Sequence, residues 1–185
     1  VATAGSDRTM KLWNAATARL DATLQGHTDG VASLAFSPDG TLLASGSLDH
    51  TVRLWDPAAG TEQITLKGHT SRVLSVAFSP DGKRALLGGW DHKMRLWDLD
   101  AAQQLAEAEL DDCGRSVAFS PDGKYLAAGT GTSTTTCRSS IQTVTLSSCH
   151  SGSTSRVATV PSDNRCSCRA GRCVCPCISC LTRYF

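Results

Sequence analysis

The chain has 185 residues with 18 Lys and Arg against 17 Asp and Glu, a formal charge of +1, and is long enough for one domain with a sizeable core. A balance so near neutral supplies no basic field, which sets aside nucleic acid and anionic membranes as partners. There is no apolar run of bilayer-spanning length, and Val1-Ala2-Thr3-Ala4 lacks the charged start of a secretory signal, so the compartment expected is intracellular, cytoplasmic or nuclear.

In chain order, the first complete unit opens with Val31-Ala32-Ser33-Leu34-Ala35-Phe36, a short strand, followed by the turn Ser37-Pro38-Asp39-Gly40. Proline presets φ at the second turn position, and glycine tolerates the positive φ that closes the hairpin. Leu42 to Ser47 and Thr51 to Trp55 form a second hairpin across Leu48-Asp49-His50, and Glu62 to Leu66 makes a fourth strand. Along Thr51 to Trp55 the side chains alternate, so Val52 and Leu54 share one face and Arg53 and Trp55 the other. Both faces carry bulk, which predicts a sheet sandwiched between neighbours, with the Arg53 stem on apolar surface and its head at solvent.

The unit repeats. Trp13, Trp55 and Trp97 recur at an interval of 42 residues, as do Asp7, Asp49 and Asp91. Gly26-His27 returns as Gly68-His69, and Ser37-Pro38-Asp39-Gly40 as Ser79-Pro80-Asp81-Gly82 and, one residue early, Ser120-Pro121-Asp122-Gly123. Four short strands per interval make an antiparallel blade, and residues 1 to 130 supply about thirteen of them.

These residues resemble the WD40 family: Gly-His, the Ser-Pro-Asp-Gly turn, the Asp six residues before Trp, and Trp-Asp at Trp55-Asp56 and Trp97-Asp98. The resemblance implies an all-β propeller that assembles other proteins. Since propellers close with about 4 to 8 blades, the chain reads as a propeller fragment of about three blades and an unfinished fourth side. Two departures stand out: the first unit has Trp13-Asn14, and the last has Glu109-Leu110 where Gly-His falls elsewhere.

His27, Ser45 and Asp49 are the residue types of a hydrolytic triad, but a nucleophile serves one cleft, whereas this set recurs. His69, Asp91 and Trp97 repeat it with Leu87 in place of Ser45, and Thr3, Asp7 and Trp13 match it in the first unit. The expected role is structural, a His, hydroxyl, Asp and Trp55 tetrad satisfying buried polar groups within the blade. It corresponds to the tetrad of the WD40 family, and Leu87 leaves that of blade three incomplete. No enzyme activity is expected.

His50 and His92 follow the turn aspartates and read as exposed turn residues, each with no metal partner at ligand spacing. Neither a Gly-Lys-Ser/Thr loop nor a strand-linked GxGxxG is present, so no cofactor is expected.

By the same resemblance, partners bind at the residues flanking the strand-opening valine and the residue before the turn Asp. In blade two these are Gly30, Ala32 and Leu48; in blade three, Arg72, Leu74 and Trp90. Arg and Trp concentrate interface energy, whereas Trp90 packing over Leu74 as local cover is the competing reading. The function expected is a protein-interaction scaffold acting through loop faces. The alternative is a regulatory or sensory propeller of a larger protein with a kinase or NTPase domain.

Composition changes near residue 130. Eight of nine cysteines lie at or beyond Cys137, lysines stop at Lys124, and Asp163 is the one acidic residue after Asp122. Residues 131 to 185 read as a Cys-, Ser- and Thr-rich tail that is disordered or out of frame, with no part in the fold. Six thiols from Cys166 to Cys180 leave a metal-binding module as an alternative, although their spacing is not that of a common zinc finger.

Overall fold

A computed structural model describes residues 1–131 and the strand Ser140–Thr145. The described residues are all β. Among the described residues no helix is long and apolar enough to cross a membrane.

Blade two holds β4 (Val31–Phe36), β5 (Leu43–Ser47), β6 (Thr51–Asp56) and β7 (Thr61–Lys67), antiparallel and in sequence order. Blade three repeats this with β8 (Val73–Phe78), β9 (Arg84–Gly89), β10 (Lys93–Asp98) and β11 (Gln103–Glu109). They are flanked by a three-stranded sheet of β1 (Ala2–Ala4), β2 (Met10–Trp13) and β3 (Leu20–Leu24), and by another of β12 (Gly114–Phe119), β13 (Tyr125–Thr130) and β14 (Ser140–Thr145). Thirteen strands thus lie within residues 1–130, as the repeat leads one to expect.

The local chemistry of the turns is as the sequence dictates. Gly40, Gly82 and Gly123 have φ of 73°, 71° and 70°, and each amide returns to the carbonyl of the serine opening its turn. Asp39 Oδ1 accepts the Ser37 hydroxyl at 2.6 Å and the Thr41 amide at 3.1 Å, fixing the corner. A register shift falls just before Trp13, Trp55 and Trp97 where each pairs with its outer strand. This bulge re-aims the indole.

Both faces of blade two are covered. Val52 and Leu54 pack with Val73, Val76, Leu87 and Trp97 of blade three, while Trp55 packs with Met10, Leu12 and Leu24 of the first sheet. A third cluster joins Leu86, Met94 and Leu96 to Val117 and Leu126 of the fourth. The core is therefore a series of apolar layers between blades, with blades two and three each burying both faces.

Adjacent blades are also pinned on their first strands. The Val76 amide donates to Ser33 Oγ at 3.2 Å, and one repeat later the Val117 amide donates to Ser75 Oγ at 3.0 Å.

In one respect the fold departs from the sequence reading. Ser140–Thr145 lies inside the segment assigned to a disordered tail, yet it pairs along all of β13, from Tyr125↔Thr145 to Thr130↔Ser140. The run is rich in β-branched residues (Ile141, Thr143, Val144, Thr145), and β13 would otherwise present a free edge. Residues 132–139 and 146–185, with the Cys166 to Cys180 cluster, lie outside the described residues.

Candidate functional site: the tetrads and the loop face above them

In blade two the tetrad forms a continuous chain of hydrogen bonds. Trp55 Nε1 donates to Ser45 Oγ at 2.9 Å, the Ser45 hydroxyl meets His27 Nε2 at 2.7 Å, and His27 Nδ1 meets the Asp49 carboxylate at 2.8 Å. A neutral imidazole protonated at Nδ1 lets each group donate or accept in turn. Asp49 also accepts the amides of Thr28 and Thr51, both at 3.0 Å. Ser45 is 0% exposed, so no substrate can reach its oxygen. The three residue types are held in one hydrogen-bonded chain with Trp55.

In the first sheet Trp13 Nε1 donates to Thr3 Oγ1 at 2.9 Å, and Asp7 accepts from Thr9. Blade three lacks the hydroxyl because Leu87 stands at the place of Ser45, and Trp97 Nε1 and His69 Nε2 are both buried without a partner. His69 Nδ1 still lies 2.9 Å from Asp91. Sequence alone did not show what else fills this blade: Arg95, 3% exposed, turns inward to Asp91 at 2.6 Å and to Glu107 at 3.0 Å. Its counterpart Arg53 pairs outward with Glu62 and remains partly exposed.

Electrostatics follow from burial. The His27 and His69 imidazoles are held below their ordinary value, first because burial penalises the cation, which outweighs the pull of Asp49 and Asp91. Burial alone would raise Asp49, but hydrogen bonds from Thr51, His27 and the Thr28 amide outweigh it and bring the carboxyl down to about 2. The folded state therefore takes up fewer protons than the unfolded chain as acid is added. Stability is expected to be full above about pH 6.5, to decline from there towards pH 5 as unfolded histidines protonate, and to fall again from about pH 4 towards 2 as Asp49 loses its charge. Urea midpoints measured from pH 8 to 3 test this; a midpoint that rises between pH 7 and 5.5 would contradict the neutral tetrad.

The tetrads tie the loops of one face together. The Leu48 amide donates to the Gly30 carbonyl, and the Trp90 amide to the Arg72 carbonyl at 2.8 Å. In blade two the positions above the tetrad offer little: Gly30 is buried against Ser6 and Leu48, and Ala32 is small. In blade three Trp90 is 39% exposed, and the Arg72 guanidinium stacks on its ring at 4.9 Å. Leu74 is half-buried on β8. The indole is thus paired with Arg72 and stands at the surface.

One juxtaposition crosses blades. His92, exposed in the β9–β10 turn, and Asp112 and Cys113, half-buried in the β11–β12 loop, bring their ligand atoms within 4.8 Å of one another. His92 stands alone in its turn as the sequence suggests, but the next loop supplies neighbours in space. Cys113 occupies the position held by Gly30 and Arg72 in earlier repeats, which is the signal that places it on this face. His50 is exposed in its turn.

Stacked four-stranded blades, one with a complete tetrad of His27, Ser45, Asp49 and Trp55 and the next with the same set less its hydroxyl, define a propeller-type repeat protein. The family model described as WD domain, G-beta repeat, matches residues 19–56, 60–98 and 115–138, more than half of the chain, and the chain belongs to the WD40 family. WD40 repeats serve in general as protein-interaction scaffolds and are typically non-catalytic. No curated protein matches the chain.

Proposed function

We propose that this chain is a protein-interaction scaffold whose partner docks on the loop face of blade three, against Trp90 and Arg72. The observation that carries the reading is the exposed indole with its stacked guanidinium, above a blade whose neighbour offers only Gly30, Ala32 and Leu48 at the same positions. An aromatic side chain held rigid by a cation presents a large contact area at small entropic cost, and Trp and Arg dominate interface energetics.

Proteins retained by the 185-residue chain from a cell lysate would supply the partner, whose affinity is then measured in purified form. Trp90→Ala and Arg72→Ala are each expected to weaken binding by more than about 1 kcal/mol, roughly fivefold in Kd, with Tm nearly unchanged. If Trp90→Ala lowers Tm and spares binding, the indole belongs to packing and the surface is elsewhere.

A further inference from the structure

We propose that His92, Asp112 and Cys113 form a surface site for zinc or another borderline-soft divalent cation, clasping the turn of blade three to the loop that enters the fourth sheet. The imidazole, carboxylate and thiol present their ligand atoms within 4.8 Å of one another. In a tetrahedral zinc site with bonds of about 2.0 to 2.3 Å, ligand atoms stand roughly 3.3 to 3.8 Å apart, so closure needs small side-chain rotations and no movement of strands. The backbone is already joined here, since the Leu110 amide donates to the His92 carbonyl at 2.8 Å.

The donor set selects the ion. One sulfur, one nitrogen and one oxygen suit zinc or cobalt, whereas calcium and magnesium require oxygen shells. Asp112 Oδ1 accepts the Cys113 amide at 2.7 Å, which orients the carboxylate before any ion arrives. Three protein ligands leave a fourth position to water, the arrangement of an exchangeable site rather than of a closed structural one. Binding forms the sulfur–metal bond and sends one proton to the buffer.

In blade two the equivalent places are His50, Ser71 and Arg72, with no thiol or carboxylate. The site is therefore a local property of the junction between blade three and the fourth sheet. It does not depend on the partner surface proposed above.

The test uses the full chain with the other eight cysteines changed to serine, leaving Cys113 the one thiol. Titration with cobalt(II) is expected to give one ion per chain, with a thiolate-to-cobalt charge-transfer band in the near ultraviolet that zinc abolishes by displacement. Release of one proton per ion, followed in unbuffered solution, is the second readout. Cys113→Ser should remove the band. His92→Asn, which keeps a residue type tolerant of the positive φ of 59° in the turn, and Asp112→Asn should each weaken binding at least tenfold, with circular dichroism unchanged. Absence of the thiolate band in the single-thiol chain, or a band whose affinity is indifferent to His92→Asn, overturns the proposal.

Discussion

Trp55→Ala is expected to cost about 3 to 5 kcal/mol, the range for emptying a buried indole site. Trp55 is 2% exposed and packs with Met10, Leu12 and Leu24, so its removal opens the layer between the first two sheets. It also leaves Ser45 Oγ without the indole donor at the centre of the tetrad. His27→Ala removes the link between Ser45 and Asp49 in the chain of hydrogen bonds and is expected to cost about 1 to 3 kcal/mol. The decisive comparison lies between the two indoles. Trp55→Phe sacrifices a made hydrogen bond, whereas Trp97→Phe deletes a donor that has no partner because Leu87 replaced the hydroxyl. Trp97→Phe should therefore be the milder change in urea unfolding of the same chain. Equal losses would show that Trp97 Nε1 is satisfied by some other acceptor.

The second large effect is expected at Gly88, where β9 meets the fourth sheet. A Cβ added there would lie 2.8 Å from Val117 Cγ1 and 2.9 Å from the Gly114 carbonyl oxygen. A side chain can rotate away; a strand backbone yields only if the sheets part. Gly88→Ala is expected to destabilise by about 1 to 3 kcal/mol or more, as overpacking does, and to loosen β12 and β13 selectively. Gly129, at the matching position of β13, meets only Ser116 at 3.6 Å and is expected to accept alanine with little loss. Hydrogen exchange on both variants decides: protection lost in β12 and β13 for Gly88→Ala alone is the expected pattern, and equal behaviour of the two would refute it.

The blades were legible from residues 1 to 130 because their determinants are local. A Pro-Asp-Gly corner, a two-residue alternation and a repeated Trp each act within a few positions, so spacing carries them directly. The tetrad of blade two was legible for the same reason, since its four members keep the register of the repeat. Arg53 and Arg95 show the limit. They occupy one position of the repeat, yet one pairs outward with Glu62 and the other turns in to Asp91 and Glu107, and nothing in the residue type announces which. The grouping of His92 with Asp112 and Cys113 was hidden for another reason: its members come from different units, and pattern within a unit says nothing about what the next one brings alongside. β14 was obscured by composition, because a Ser- and Thr-rich stretch reads as unstructured until a free strand edge is there to pair with it.

The serine links between first strands carry a directional consequence. In each, the hydroxyl lies on the earlier blade and the amide that reaches it lies one repeat later, at separations of 43 and 42 residues. During synthesis every acceptor is thus delivered before its donor, and each new blade meets a finished edge at a loop length set by a single repeat. Growth of the array then proceeds like addition to the end of a polymer, at constant entropic cost per step, and never has to wait for a distant segment. Ser116 holds the same register on β12, opposite Gly129, as Ser33 and Ser75 hold opposite Gly46 and Gly88. It gives the fourth sheet the chemical end group from which the preceding two additions were made.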